Sequence, residues 1–441
     1  VTLLQRQQSP DALERKGDAL LEEGSAEAAL DFYMRALRSE PGNPELRMKA
    51  VRAVETLPPL SIDRALDHSR FMLRSLHRVL DIDPMHGPAR RRLLDFYFEW
   101  AAAVRDRAVW QHLKEAAHES VAAARIMNRE PSPLTLKYRG VAELKTGEPV
   151  PVEEAERRIG KTVEDLLTRF PDDRLVLLQA AEYNRRLARR WQTAGRPGRA
   201  RERLDRAETL LREAVASNPD DLRLRIGYVR TLWTAPEPGP SAATAWRELD
   251  RRLGDAEDNE TLRRAARLYL ALRDRRGESP NLEWTAEKLL RRAVDRHPDD
   301  LLSLLMLVEI SDRLGGGDTE EDLLKLWRQR RAIRPGVPAM IAAHVRPVAG
   351  SRLADLHLRR AERAPDAEER QRRLRRAHEV LQSLARFNRR DGLLPMLRGK
   401  RHLIAGDVRR AALALHEAER RYENPPVDVV YLAARAMMRV G

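Results

Sequence analysis

Residues 13–41 read LERKGDALLEEGSAEAALDFYMRALRSEP and decide the fold. Apolar residues recur in this stretch at intervals of three or four positions, which predicts amphipathic helix. Pro41 ends the second helix of the stretch, because proline has no N–H group to continue the helical hydrogen bonds. A unit of two antiparallel helices cannot bury its apolar face alone, so it must stack on neighbouring units.

The same punctuation recurs along the chain. Pro171, Pro219 and Pro298 are each followed by two aspartates, and an Asp in this position can cap the next helix by accepting from its free N–H groups. The separations between the prolines at 41, 84, 131, 171, 219, 298 and 335 are 43, 47, 40, 48, 79 and 37 residues. The longest separation corresponds to two units with one proline missing. The spacing therefore predicts about nine or ten helix pairs.

The spacing of small and large residues within a unit resembles the tetratricopeptide repeat. In the first unit this pattern consists of Leu13, Gly17, Leu20, Gly24, Ala29, Tyr33, Ala36 and Pro41, and near the other end of Gly399, Gly406, Ala411, Leu415 and Ala418. Small residues at the eighth and twentieth positions let two helices approach closely, and a bulky residue at the twenty-fourth position fills the gap. The resemblance implies an all-α, right-handed solenoid of stacked antiparallel helix pairs. The interval from Pro171 to Pro219 exceeds the family's 34 residues by 14, which predicts longer helices at 175–193 and 199–217.

The composition excludes several classes of protein. Hydrophobic residues make up 42% and charged residues 34% of the 441 residues, and aromatic residues only 5%, which argues against a β-rich enzyme. With no cysteine, a disulfide framework and a thiolate metal site are excluded. The sequence has no apolar run of about 20 residues and no signal peptide at its start, so we expect a soluble, by default cytoplasmic, protein.

The helical array divides by charge and regularity. Residues 1–335 are predicted to form a tetratricopeptide-like array, and residues 336–441 to continue it after an irregular segment, 336–350. Within this segment, Pro338 and Pro347 are expected to bracket a short apolar helix. The last 97 residues contain 22 basic and 12 acidic residues and so carry +10 of the net charge of +14.

Two sequence features suggest catalysis or metal binding, but the spacing of their residues does not fit either function. Gly160-Lys161-Thr162 ends like a phosphate-binding loop, but Ala155 stands where that loop needs glycine, and the preceding residues favour helix. His68, His77 and His86 are nine residues apart, which on a helix places neighbours half a turn out of phase. We therefore expect no enzyme activity, no cofactor and no metal.

The resemblance also implies where a partner binds. In the family the ninth position of each first helix faces the concave groove, which here selects Asp18, Glu182, Arg230, Glu309 and Lys400. Their mixed signs favour a protein or peptide partner over nucleic acid. The aromatic patch around Trp100 and Trp110 is a second place for a partner side chain. The expected function is a noncatalytic scaffold that holds a peptide or a partner helix.

The alternative function rests on the basic region 345–441. One of its helices carries Arg370, Arg372, Arg373, Arg375 and Arg376, a possible anion-binding set. At 100° per residue these side chains fan around the exposed arc of the helix, which is typical of a solvated face. Binding of RNA or an acidic partner through this region stays open and is disfavoured.

Overall fold

The computed structural model describes residues 9–147, 150–235, 238–276, 280–314, 319–328, 332–387, 392–422 and 425–440. Within these ranges the chain is all-α, as predicted, and the one pairing of extended backbone is an isolated bridge between Leu60 and Ile333. The helices are α1 (Pro10–Glu22), α2 (Ala26–Ser39), α3 (Pro44–Thr56), α4 (Ile62–Ile82), α5 (Gly87–Val104), α6 (Arg107–Ile126), α7 (Pro133–Thr146), α8 (Val152–Arg169), α9 (Arg174–Thr193), α10 (Pro197–Ser217), α11 (Leu222–Leu232), α12 (Pro240–Leu253), α13 (Asn259–Arg276), α14 (Pro280–Arg296), α15 (Leu301–Arg313), α16 (Thr319–Arg328), α17 (Val337–Glu362), α18 (Ala367–Ala385), α19 (Leu393–Ala405), α20 (Val408–Arg421) and α21 (Val427–Val440).

The helices group into two compact units. Unit 1 comprises Val1–His297 and Ala332–Ile341, and unit 2 comprises Pro298–Arg331 and Ala342–Gly441. Unit 1 thus contains α1–α14 and the start of α17, and unit 2 contains α15, α16, the rest of α17 and α18–α21. In both units helices that are consecutive in sequence pack against each other, which is the pattern of a repeat array. The boundary suggested by the sequence, between residues 335 and 336, stays a prediction.

The prolines and aspartates act as predicted. Oδ1 of Asp173, Asp221 and Asp300 accepts a hydrogen bond of 3.1–3.2 Å from the backbone N–H three residues later. Asn43 and Ser132 cap the helices after the earlier prolines in the same way. Because each cap satisfies a donor that the helix itself leaves free, the chain starts a new helix at a defined residue after each proline.

Close packing within the helix pairs also follows the predicted positions. A methyl group at Gly17 would lie 2.5 Å from Cε1 of Tyr33, sixteen residues later, so only glycine allows α1 and α2 to approach this closely. At the other end of the chain Gly399 meets Leu415, again sixteen residues later. Ala29 has no exposed surface. The tetratricopeptide-like helix pair is therefore confirmed by its own packing.

Two predictions about helix length have opposite outcomes. The lengthened helices between Pro171 and Pro219 are confirmed, since α9 and α10 have 20 and 21 residues. The short helix bracketed by Pro338 and Pro347 is wrong, because α17 runs through Pro347 for 26 residues. A proline inside a helix costs about 3 kcal/mol. Here fully buried neighbours such as Ala349 offset that cost.

A short segment far along the chain completes unit 1. Leu60 and Ile333 exchange two backbone hydrogen bonds, of 2.8 and 2.6 Å. The N–H of Gly336 donates to the buried hydroxyl of Ser69 at 2.7 Å. Residues 332–341 therefore belong to the same packed body as α4, although 34 residues of unit 2 precede them in sequence.

Candidate anion-binding cavity of unit 1

A cavity of about 430 Å³ opens among α5, α6, α7, α9, α11 and α13 of unit 1. Its apolar lining residues are Phe98, Ala102, Trp110, Leu175, Leu178, Ile226, Gly227 and Leu268. Its charged lining residues are Arg105, Arg107, Lys145, Glu182, Arg185, Arg186, Arg223, Arg230, Arg264 and Arg267. The cavity thus combines an apolar surface with nine cations and one carboxylate, and we call it the cationic cavity.

Helical spacing brings these side chains together. Glu182, Arg185 and Arg186 are three and four residues apart on α9, so they share one face of that helix. Arg264 and Arg267 share a face of α13 for the same reason. Charges that are dispersed along the sequence therefore converge where several helices meet.

Arg105 enters the cavity from an unusual backbone conformation. It follows the last residue of α5 in the left-handed region, with φ at 56°, and its N–H donates to the carbonyl of Ala101 at 2.9 Å. A side chain with a Cβ costs about 1–2 kcal/mol in this region. Gly406 fills the equivalent position after α19 without that cost. The strain at Arg105 is thus tolerated at a residue that lines the cavity, where strained residues often serve function.

Glu182 is the one carboxylate of the lining and lies among arginines. Arg185 donates to it, Nε of Arg186 donates to its Oε1 at 3.2 Å, and Nη1 of Arg230 lies 3.5 Å from its Oε2. Burial alone would raise the pKa of Glu182, but Arg185, Arg230 and Arg186 hold it well below its usual range. Glu182 is therefore ionised at neutral pH.

The guanidinium of Arg185 is the most deeply buried charge of the cavity. The residue is only 5% exposed, and its Nε and Nη1 have no acceptor among the residues that the structure describes. Burial lowers the pKa of Arg185 to about 10, with Glu182 opposing the shift. A buried cation with unsatisfied donors destabilises a fold, and its position in a cavity makes it a candidate functional residue.

Carboxylates outside the lining neutralise only part of the remaining charge. Nη2 of Arg223 lies 2.6 Å from Asp258, and Nε of Arg264 lies 2.6 Å from Glu260. Three further cations have no carboxylate within 4.0 Å in the part of the chain that the structure describes, namely Arg105, Arg107 and Lys145. The cationic cavity therefore has a net positive charge.

Burial and nearby cations change the protonation of the lysine. Burial, together with the charges of Arg186, Arg105 and Arg264, lowers the pKa of Lys145 to about 7, and Glu182 opposes this shift. Nζ of Lys145 lies 5.9 Å from the ring centre of Trp110, whose apolar face limits its access to water. Near neutral pH Lys145 is thus divided between its charged and neutral forms.

The structure brings together two of the five predicted groove residues. Glu182 and Arg230 line the cationic cavity and face each other there. Asp18 lies elsewhere in unit 1, where it accepts hydrogen bonds from Tyr33 at 2.8 Å and from Lys49 at 2.7 Å.

The other two predicted groove residues lie in unit 2. Glu309 pairs with Arg352. Nζ of Lys400 lies 2.8 Å from Asp355, and both line a second cavity, of about 810 Å³. The lining of this cavity has three cations and three carboxylates, so it does not carry the charge excess found in unit 1.

The basic helix of unit 2 is partly neutralised within its own unit. Arg373 and Arg376 both contact the carboxylate of Glu320, at 2.8 and 3.1 Å, and Arg360 joins them there. Arg373 also donates to Glu369 at 2.7 Å and is only partly exposed, so it departs from the expected fan of solvated side chains.

The other three arginines of this set agree better with that fan. Arg372 pairs with Glu369, and Arg370, Arg372 and Arg375 are all exposed. Among the described residues these three arginines share no carboxylate, so they lie separately on the exposed side of the helix.

Reasoning from sequence missed most cations of the cavity. Arg105, Lys145 and Arg185 carry no motif, and only their convergence identifies them. The aromatic patch gave a partial signal, since Trp110 and Phe98 line the cavity.

Three further observations concern metal binding, membrane crossing and phosphate binding. Among the described residues no group of three or more His, Cys, Asp or Glu is placed to hold a metal ion. The described helices include none that is both long and apolar enough to cross a membrane. Gly160, Lys161 and Thr162 lie inside α8 and form no phosphate-binding loop.

Comparisons with known proteins give structural matches only. Neither a protein-family model nor a curated protein matches the chain. One similar structure is a tetratricopeptide repeat protein from Parabacteroides merdae, 12% identical, with a TM-score of 0.45, covering 69% of this chain and 98% of that one. The human IFIT1 dimer with PPP-AAAA is 13% identical, with a TM-score of 0.41, covering 90% and 85%. The APC/C hetero-tetramer Cut9–Hcn1 is 12% identical, with a TM-score of 0.40, covering 99% and 78%. The packing described above defines the chain as a tetratricopeptide-like helical-repeat protein.

Proposed function

We propose that this chain is a noncatalytic interaction protein that binds an acidic segment of a partner protein in the cationic cavity of unit 1. The observation that carries the proposal is the surplus of positive charge in a cavity whose remaining surface is apolar. A segment with acidic and apolar side chains is complementary to both parts of this lining.

The predicted groove residues have a defined place in this proposal. Glu182 orients Arg186 and Arg230, and it reduces the repulsion among the cations when no partner is bound. Asp18, Glu309 and Lys400 are proposed as further contacts for the partner, each within its own unit.

Peptide binding tests the proposal. The probe is a fluorescein-labelled dodecapeptide of alternating Glu and Leu, with a Gln and Leu peptide as its neutral match. We expect fluorescence anisotropy to show binding of the Glu peptide alone, weakening steeply with salt. The double variant Arg105→Gln, Lys145→Gln should weaken binding at least tenfold. Arg157→Gln, an exposed residue of α8, is the matched control and should change nothing. Equal binding of the two peptides would contradict the proposal.

A second candidate function is binding of RNA or an acidic partner through the basic region 345–441. It is supported by the exposure of Arg370, Arg372 and Arg375 on one helix. Its test is a gel-shift titration with single-stranded RNA at two salt concentrations, using a triple substitution of these residues by Gln. Loss of salt-sensitive RNA binding in the triple variant would favour this function over the first.

A further inference from the structure

We propose that the cationic cavity selects a phosphorylated side chain on the partner segment, so that its preferred ligand is a phosphopeptide and not merely an acidic peptide. This rests on the proposed function and deepens it by naming the chemical group that the cavity recognises. Three properties of the cavity support it: the size of its charge surplus, the donors that it offers, and the filled faces of its aromatic residues.

The charge surplus exceeds what one carboxylate can neutralise. Arg185, Arg186 and Arg230 share the single carboxylate of Glu182, and Arg223 and Arg264 pair with Asp258 and Glu260. Arg105, Arg107 and Lys145 have no carboxylate within 4.0 Å among the described residues. A peptide carboxylate would add one negative charge. A phosphoryl group adds about −1.5 to −2 at neutral pH, shared by three oxygens around one phosphorus atom. A small cavity with several uncompensated cations therefore favours the phosphoryl group.

The donors also suit phosphate. Eight of the nine cations are arginines, whose planar guanidinium donates two parallel hydrogen bonds to phosphate oxygens. A phosphoryl group presents three acceptor oxygens and can thus contact guanidinium groups from several helices at once. Arg105, Arg230 and Arg264 come from three different elements and meet at this cavity. A carboxylate, with two oxygens in one plane, satisfies fewer of them.

Lys145 couples binding to pH. The charged groups that face it are Arg105 after α5, Glu182 and Arg186 on α9, and Arg264 on α13. Because Lys145 is buried and the neighbouring cations repel its charge, it gives up its proton near pH 7 in the free protein. A bound dianion reverses that repulsion, so Lys145 takes up a proton when the ligand binds. Affinity is then lost as the pH rises above 7, whereas protonation of the phosphate weakens binding below about pH 6.

The aromatic residues favour a peptide over RNA. Binding of single strands depends on free aromatic faces on which bases stack. Phe98 already stacks on Tyr138, with ring centres 4.7 Å apart, and the edge of Trp110 packs against it at 6.0 Å. Trp110 is only 6% exposed. A cavity of about 430 Å³ accommodates one modified side chain and its neighbours, not an extended strand with stacked bases.

Calorimetric titration of the full chain tests the proposal with four probes. These are a nonapeptide with one phosphoserine among uncharged residues, the same peptide with Glu or Ser in its place, and a 5′-phosphorylated RNA tetranucleotide. We expect the phosphopeptide to bind at least tenfold more tightly than the Glu peptide, and the Ser peptide not to bind. Its affinity should be highest between about pH 6 and 7 and fall toward pH 9.

Variants assign the effect to the cavity. Lys145→Gln should weaken phosphopeptide binding and flatten the loss of affinity above pH 7, whereas Arg157→Gln should leave both unchanged. Arg105→Gln should weaken binding about tenfold without removing the pH dependence due to Lys145. These substitutions avoid Arg185, whose burial makes it a risk to folding.

The outcomes separate this proposal from the function on which it rests. Equal or tighter binding of the Glu peptide would overturn phosphoryl selectivity and leave binding of an acidic segment intact. If neither the phosphopeptide nor the Glu peptide binds, both phosphoryl selectivity and the binding of an acidic segment are overturned. Binding of the RNA at the cavity without binding of the phosphopeptide would overturn the assignment to a protein segment.

Discussion

The cationic cavity of unit 1 and the basic helix of unit 2 use arginine in opposite ways. In unit 2, the guanidinium groups of Arg360, Arg373 and Arg376 surround Glu320, and further arginines of the helix extend into solvent. In unit 1, cations from several helices converge on a cavity with one carboxylate. The basic helix has the more basic sequence and the cavity has the less compensated charge. Convergence in the fold, not local composition, therefore identifies the better anion site.

The largest expected effect concerns the central carboxylate of each region. Glu182→Gln removes the negative charge shared by Arg185, Arg186 and Arg230, and breaking a buried pair costs about 3–5 kcal/mol. We expect hydrogen exchange to show α9 less protected by about that free energy. Glu320→Gln should affect α18 less, because Arg373, the most buried of its arginines, is more exposed than Arg185. Equal losses of protection in α9 and α18 would mean that the two carboxylates stabilise their helices to the same extent.

The next effect separates the regions by pH. Burial lowers the pKa of His357 in unit 2 to about 4, with Glu320 opposing the shift, whereas unfolded histidine has a pKa near 6.5. Between these values the unfolded chain binds a proton that the folded unit does not, so stability rises with pH from about 4 to 6.5, by up to about 3 kcal/mol. Hydrogen exchange of α17 at pH 4.5 and 6.5 should show this rise, and His357→Gln should abolish it.

The stability of unit 1 is expected to change with pH in the alkaline range. The pKa of Lys145 is lowered to about 7 from its unfolded value near 10.4. The unfolded chain again binds the extra proton, so the stability of unit 1 should rise between pH 7 and 10. The rise should vanish in Lys145→Gln. If the hydrogen-exchange protection of α7 does not change with pH in the unsubstituted chain, that result would contradict the crowding of cations around this lysine.

A smaller effect compares two helix ends. Arg105→Gly relieves the left-handed backbone and should stabilise unit 1 by about 1 kcal/mol while weakening anion binding. Arg105→Gln keeps the strain and should lose only the binding. The reverse change in unit 2, Gly406→Arg, should destabilise that unit by about 1–2 kcal/mol. Thermal or urea unfolding of the three variants measures these changes; destabilisation by Arg105→Gly would show that the guanidinium stabilises the fold.

The smallest effect tests the basic helix itself. Replacing Arg370, Arg372 and Arg375 by Gln should change the stability of unit 2 by less than about 1 kcal/mol, because exposed ion pairs contribute little. Phosphopeptide binding should be unchanged, since the cavity keeps all its cations. Loss of phosphopeptide binding would indicate that the anion site lies in unit 2 and not in unit 1.

Much of the fold could be predicted from local signals. The spacing of Gly17 and Tyr33, and the proline–aspartate punctuation, depend on neighbouring residues and so are readable in sequence. Helix α17 shows where local rules fail. Pro347 predicts a helix boundary, but burial of residues around it, such as Val345 and Leu353, decides the outcome.

The site was less predictable, because much of its positive charge comes from a segment whose total charge is near zero. Residues 131–260 contain 24 basic and 23 acidic residues, so the segment that supplies most of the cavity looks neutral. Five of its cations line the cavity, while many of its carboxylates, such as Glu153 and Glu202, are exposed elsewhere. Arg105 and Arg264 also come from helices about 160 residues apart in sequence, a proximity that no motif records.

The segment of residues 332–341 has a consequence for how the protein is made. During translation, α1–α14 emerge first, but the backbone partners of Leu60 and Ser69 are still missing. They appear only after the ribosome has added the 34 residues of Pro298–Arg331. The first body to be synthesised can therefore close only after part of unit 2 has been made, because forming its last contacts requires a loop of more than 260 residues. A truncated chain ending at His297 would leave the hydroxyl of Ser69 and the edge at Leu60 without their native partners.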